Sequence, residues 1–165
     1  KDYDSKKTIL GLKQWSWFKE KLLKKVDLRI IVSSFQVIAA DHGWEKWGNF
    51  PSEQDKLFSS IKNLNPTQTI ILSGDRHIGG IYEENLNNNF KLIEITSSSL
   101  NKPLPFKIDA TDSKQIGKSI SAANFGIMKI NWLDKSLSLE LKPTLGDILT
   151  AEDYLLKYKI ILVNN

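Results

Sequence analysis

Cysteine is absent from this 165-residue chain. That excludes disulfides and thiolate-rich zinc sites, and leaves carboxylate, imidazole, amide and backbone oxygen as the ligand types open to a metal. It does not fix the compartment, because exported bacterial proteins often lack cysteine as well. Arginine is scarce: Arg29 and Arg76 are the only two, so the net charge of +4 is almost wholly lysine. A mild lysine excess favours an anionic partner through a general field, whereas nucleic-acid readers usually show arginine and a clustered basic face. Long apolar runs are missing too, and nothing approaches the roughly 18 to 20 residues that cross a bilayer. The opening KDYDSKK forms neither a signal peptide nor a recognisable targeting segment, so the natural start is expected to lie upstream.

What is present supports one core. Hydrophobic residues make up 41% of the chain, enough for a single domain or a piece of a larger one. Leu12, Trp15, Phe18, Leu22 and Leu23 recur at near-helical spacing, and lysines crowd the end of that stretch, so Leu12–Lys25 reads as an amphipathic helix with Trp15 and Trp17 packed against the core. Leu28–Ser33 is a continuous apolar run that predicts a strand covered on both faces. Pro51 with Ser52 and Asp55 opens a second helix, whose buried face is Leu57, Phe58, Ile61 and Leu64, and Asn65-Pro66 closes it. Thr69–Ser73 follows as a strand, giving the helix and strand alternation of an α/β layer fold.

Beyond residue 77 the pattern changes. Ile78–Glu83, Phe90–Thr96, Asn124–Trp132 and Ser136–Leu141 read as strands of an antiparallel meander. Ser99–Ser121 reads as a long irregular loop, a length usually functional or disordered. Thr150–Lys157 is expected to form a short capped helix before an apolar Ile160–Val163 strand. Residues 1–142 thus read as the main unit and 143–165 as a tail with a short helix and a strand.

The most chemically suggestive stretch is Thr69–His77, TIILSGDRH. A buried strand ends at Gly74 and delivers a carboxylate and an imidazole, Asp75 and His77, two residues apart, as metallohydrolases present their ligands. Taken in order, LGLKQWSWFKEKL, LRIIVSSFQV, HGWEKWGNFPSEQDKL, ILSGDRH, EITSSSL and NFGIMKINW resemble the C-terminal half of the alkaline phosphatase D (PhoD-like) family, within the calcineurin-like metallophosphoesterases. The resemblance runs over roughly residues 3 to 142.

That resemblance implies an α/β (α+β) fold, the C-terminal half of a four-layer αββα sandwich with a two-metal centre at the carboxyl ends of strands. It implies Asp75 on one metal and His77 on the other, Gly74-Asp75-Arg76-His77 standing where the superfamily usually has Gly-His-x-His. A carboxylate in place of imidazole suits calcium or manganese better than zinc, and the family is associated with iron and calcium. The implied reaction is phosphate-ester hydrolysis, mono- or diester, with nucleic acid relevant only as a substrate. Two metals would polarise the phosphoryl oxygen and activate a water. The implied location is periplasmic or extracellular.

Several residues keep two readings. Arg76 either clamps phosphate or turns away to pair with a carboxylate. Gln36 either offers its amide oxygen to a metal or its water, or caps a strand-to-loop turn. Trp44, Trp47, Asn49 and Phe50 either wall a substrate pocket or lie as a lid over the core. His42, in an Asp-His-Gly loop without a second ligand at useful spacing, reads as a surface histidine. Asn124-Phe125-Gly126 reads as structural.

The superfamily's Asp-x-His, Gly-Asp and Gly-Asn-His-Asp motifs do not occur in residues 1–68. With Asp75 and His77 as the only strong ligands, a two-metal site is incomplete, and the 165 residues alone are expected to be inactive without the N-terminal half of the domain. The competing reading is a non-enzymatic polyanion- or protein-binding module, including a degenerate relative that kept the fold and lost the ligands. A serine esterase of the SGNH type is disfavoured, because its Gly-Asp-Ser turn is missing.

Overall fold

The computed structural model describes residues 1–4, 6–64, 67–87, 90–104, 112–144 and 156–162. The first helix, α1 (Gly11–Leu22), buries Trp15, Phe18 and Leu22 and carries Lys19 and Lys21 in its last turn, where cations complement the helix dipole. Trp17 corrects the sequence reading. Two residues past Trp15, it lies about 200° around the helix, and it is 56% exposed.

The helix leads to β1 (Arg29–Ser33), and α2 (Pro51–Leu64) connects β1 to β2 (Thr69–Ser73), which pairs with it in parallel. Helix α2 begins at Pro51, whose fixed φ and missing N–H suit a first helical position. Asn65 and Pro66, read as its terminator, lie outside the described residues.

The antiparallel meander expected after residue 77 is instead divided between two sheets. Strands β3 (Gly79–Asn87), β4 (Phe90–Ser97) and β5 (Gln115–Ile120) join β1 and β2 in the order β1-β2-β4-β3-β5. Within it β4 runs parallel to β2, and β3 is antiparallel to both β4 and β5. Strand β5 falls inside the stretch read as loop. Its sequence QIGKSI, broken by Gly117 and Lys118, has little strand character, and it is recruited by pairing with β3. Strands β6 (Asn124–Asn131), β7 (Ser136–Pro143) and β8 (Leu156–Ile161) form a separate antiparallel sheet. Of the helix expected at 150–157, residues 150–155 lie outside the described residues, and Leu156 and Lys157 begin β8.

The described elements stack as helices, sheet, sheet. Ile71, Tyr82 and Leu92 face the helices and pack with Trp15, Phe18, Leu22, Trp47, Leu57 and Ile61. The opposite face, with Ile70, Ile81, Ile93 and Ile95, meets Leu137, Leu139 and Leu141 of β7. Each fully buried aliphatic side chain of that kind contributes roughly 1.5–3 kcal/mol.

Strand β1 departs from its reading as covered on both faces. Ile31 continues the helix-side core, but Ile30 and Val32, in register with Ile70 and Leu72, are 43% and 77% exposed. The sheet-covered face therefore runs on uncovered at this edge.

Candidate functional site at the carboxyl ends of the parallel strands

Strands β1, β2 and β4 all end at one edge of the five-stranded sheet, where open α/β sheets place their ligands. The lip after β2 is a tight turn: the Arg76 amide donates to the Gly74 carbonyl at 2.9 Å, closing a γ-turn about Asp75. Asp75 has φ +69° and His77 φ +54°, both in the left-handed region. The turn is tied to the end of β4 by the His77 amide, which donates to Ser98 Oγ at 2.8 Å. Asp75 is exposed, His77 half-buried and Arg76 buried, so the carboxylate and the imidazole flank a guanidinium turned inward.

Arg76 reaches beneath the loop that follows β1, its guanidinium carbon 5.7 Å from the centre of the Trp44 ring. It makes no salt bridge with a carboxylate among the described residues, and its buried Nε has no hydrogen-bond partner. Burial holds its pKa below the ordinary value, against the pull of Tyr82, Asp75 and Asp112.

Gln36, read either as offering its amide oxygen or as a cap on the strand-to-loop turn, is fully buried. Its Nε2 donates to Thr96 Oγ1 at 2.9 Å, and Thr96 shares a 2.8 Å hydrogen bond with Ser73 Oγ. Its Oε1 is left without a partner. The loop carrying it is held from below by Glu94, a fully buried carboxylate that accepts from the Val37 amide at 2.9 Å and the Ile38 amide at 2.6 Å. Burial raises the Glu94 pKa, and hydrogen bonds from Ser73 and the two amides oppose the shift. Nearby, burial pushes the Tyr82 phenol up to about 12, offset in part by Gln36 and Arg76.

Trp47 belongs elsewhere. It is 5% exposed, meets Trp15 edge-on at 6.4 Å and tilts against Phe35 at 6.5 Å, while its Nε1 donates to Ser33 Oγ. It is part of the helix-side core, and with Trp17, Phe18, Ile30, Val32 and Phe35 it also lines an open apolar cleft between α1 and β1, away from the Asp75–His77 lip. His42 is not a surface residue either: it is half-buried, and its Nε2 is enclosed without a partner. Burial, then the charges of Arg76 and Lys46, lower its pKa to about 4. Asp112, which carried no signal in the sequence, pins the same loop by accepting from the Ala40 and Asp41 amides at 2.9 Å. Glu94 did carry one, as a lone carboxylate inside the apolar run of β4.

Among the described residues, no group of three or more His, Asp or Glu side chains converges as a metal site. Asp75 and His77 are suitable donors on a rigid turn, but two donors do not complete the coordination of even one divalent ion. The described residues therefore do not by themselves fit a two-metal centre.

Comparison with known proteins supports the architecture. The family model for PhoD-like phosphatases matches residues 1–135. The solved structure of PhoD superposes with a TM-score of 0.70 at 11% identity, covering 94% of this chain and 34% of that one. The chain thus spans about a third of the length of that structure. No curated protein matches the sequence. With the family model covering most of the chain, the protein belongs to the PhoD-like phosphatases.

Proposed function

We propose that this chain carries part of the active site of a metal-dependent phosphoesterase, with Asp75 and His77 each donating to a metal whose remaining ligands lie outside these residues. The observation that carries the reading is the turn itself. A carboxylate and an imidazole are held at the carboxyl edge of three parallel strands by a γ-turn with positive φ at both positions. When bound, hard divalent ions such as calcium or manganese, or iron, would supply Lewis-acid activation of a phosphate ester and its attacking water. The residues here orient that chemistry: Ser98 fixes the lip through the His77 amide, and Glu94 sets the loop that brings Gln36 to the same edge. The reading includes an exported, periplasmic or extracellular enzyme acting on mono- or diesters.

The test is bound-metal analysis and phosphate-ester turnover of the polypeptide that the gene encodes in full, beside its Asp75→Asn and His77→Ala variants. Metal-dependent turnover, reduced at least a hundredfold in both variants together with loss of bound metal, is the expected result. A parent protein that binds no metal and cleaves no ester would overturn the reading. It would leave a degenerate relative that binds a polyanion or another protein through its lysine-rich surface.

A further inference from the structure

Two buried nitrogen donors beside the lip have nothing to donate to. The Trp44 amide donates to His42 Nδ1 at 3.2 Å. In the neutral imidazole the proton must then sit on Nε2, and that Nε2 is enclosed without an acceptor. The second donor is Arg76 Nε, also enclosed without an acceptor, on a residue only 8% exposed. The two are joined through Trp44: the Arg76 guanidinium lies over its ring, and its backbone amide donates to the His42 ring.

The carboxylates in the neighbourhood do not serve them. Asp112 is taken by the amides of Ala40, Asp41 and Lys114, and Asp41 Oδ2 by the Ser113 amide. Lys46 is buried and donates to the His42 carbonyl, which adds a second cation to the same loop. Buried donors left unpaired are costly and uncommon. A guanidinium taken from water with Asp75 and Asp112 near enough to act on it but neither forming an ion pair is more costly still. An oxyanion answers both, because it offers several acceptor lone pairs and a negative charge to a charge-assisted N–H donor.

We propose that His42 and Arg76, roofed by Trp44, form an oxyanion subsite beside Asp75 and His77 that takes a phosphate oxygen. The assignment of this oxyanion as part of a substrate rests on the phosphoesterase reading; the binding itself does not. The oxyanion is either the scissile phosphoryl group or a second anionic group of the same ester.

The test is a titration of the metal-free, ¹⁵N-labelled chain, in excess chelator and at fixed ionic strength, with inorganic phosphate. The expected result is a saturable shift of the Arg76 Nε–H and His42 ring signals. Affinity should fall roughly tenfold or more in Arg76→Met and in His42→Asn, which keeps the Nδ1-like acceptor but removes the Nε2 donor. Absence of a saturable shift at either group, or unchanged affinity in both variants, overturns the proposal. If Arg76→Met does not fold, His42→Asn decides. With chelator present, a failure of the metal reading does not touch this result. In the full-length enzyme, a loss confined to esters carrying a second anionic group would assign the oxyanion to that group. An equal loss on all esters would assign it to the scissile phosphoryl.

Discussion

Two polar clusters lie on the helix side of the five-stranded sheet, and they are built on opposite rules. Around Glu53 every demand is met: Thr8 Oγ1, the Ile9 amide and Trp15 Nε1 all donate to its carboxylate at 2.7–3.0 Å, and Lys56 lies 3.6 Å away while also covering the Trp15 ring. At the carboxyl edge, three buried polar atoms go unmatched: Gln36 Oε1, His42 Nε2 and Arg76 Nε. The first cluster ties the segment before α1 to α2 and is complete without any ligand. The second is made of the same kinds of group and is incomplete without one. Saturation separates polar groups that hold a fold from polar groups that await something, and burial alone does not.

The sharpest way to break this contrast is Glu53→Ala, which strands several buried donors and should cost about 3 kcal/mol in urea unfolding. A loss well under 1 kcal/mol would show the Glu53 cluster to be dispensable. Trp15→Phe, which removes the indole donor and part of a buried ring packed on Phe18 and Trp47, should cost about 2 kcal/mol by the same measurement. Acid should expose the same cluster. Burial alone would raise the Glu53 carboxyl, but hydrogen bonds from Thr8, Trp15 and Ile9 outweigh it and leave the pKa below its ordinary 4.5. Its stabilising contribution is therefore present above that value and lost as pH falls through the lower folded-state pKa. Stability measured from pH 6 downward should drop more steeply in the parent than in Glu53→Gln. Smallest is the effect of Arg76→Met, which keeps the buried stem and removes an unpaired charge; stability should stay within about 1 kcal/mol of the parent. Added phosphate should then raise the melting temperature of the parent but not of this variant.

The sequence was legible where one local rule governed. Helix α1 follows from the spacing of Trp15, Phe18 and Leu22, α2 from Pro51, and β2 from a β-branched run stopped by a glycine. Family resemblance brought Asp75 and His77 forward, although the spacing Gly74-Asp75-Arg76-His77 already marked a lip. Illegible were the features decided by distant partners. β5 exists because β3 offers an edge, and the division of the later strands between two sheets depends on which face of each finds Leu137, Leu139 and Leu141. Trp47 kept two readings in the sequence, pocket wall or lid over the core, because its position in a loop does not show that its neighbours in space are Trp15 and Phe35. His42 looked like a surface residue because burial by Trp44 and Arg76 leaves no trace in an Asp-His-Gly tripeptide.

The left-handed backbone at Asp75 and His77 bears on how the protein responds to substitution. For residues with a Cβ that conformation costs of order 1 kcal/mol or more at each position, and glycine adopts it freely. Asp75→Gly should accordingly raise the melting temperature of the chain while deleting a proposed ligand. Selection for thermal tolerance alone would thus favour glycine at this lip, at the expense of the proposed ligands.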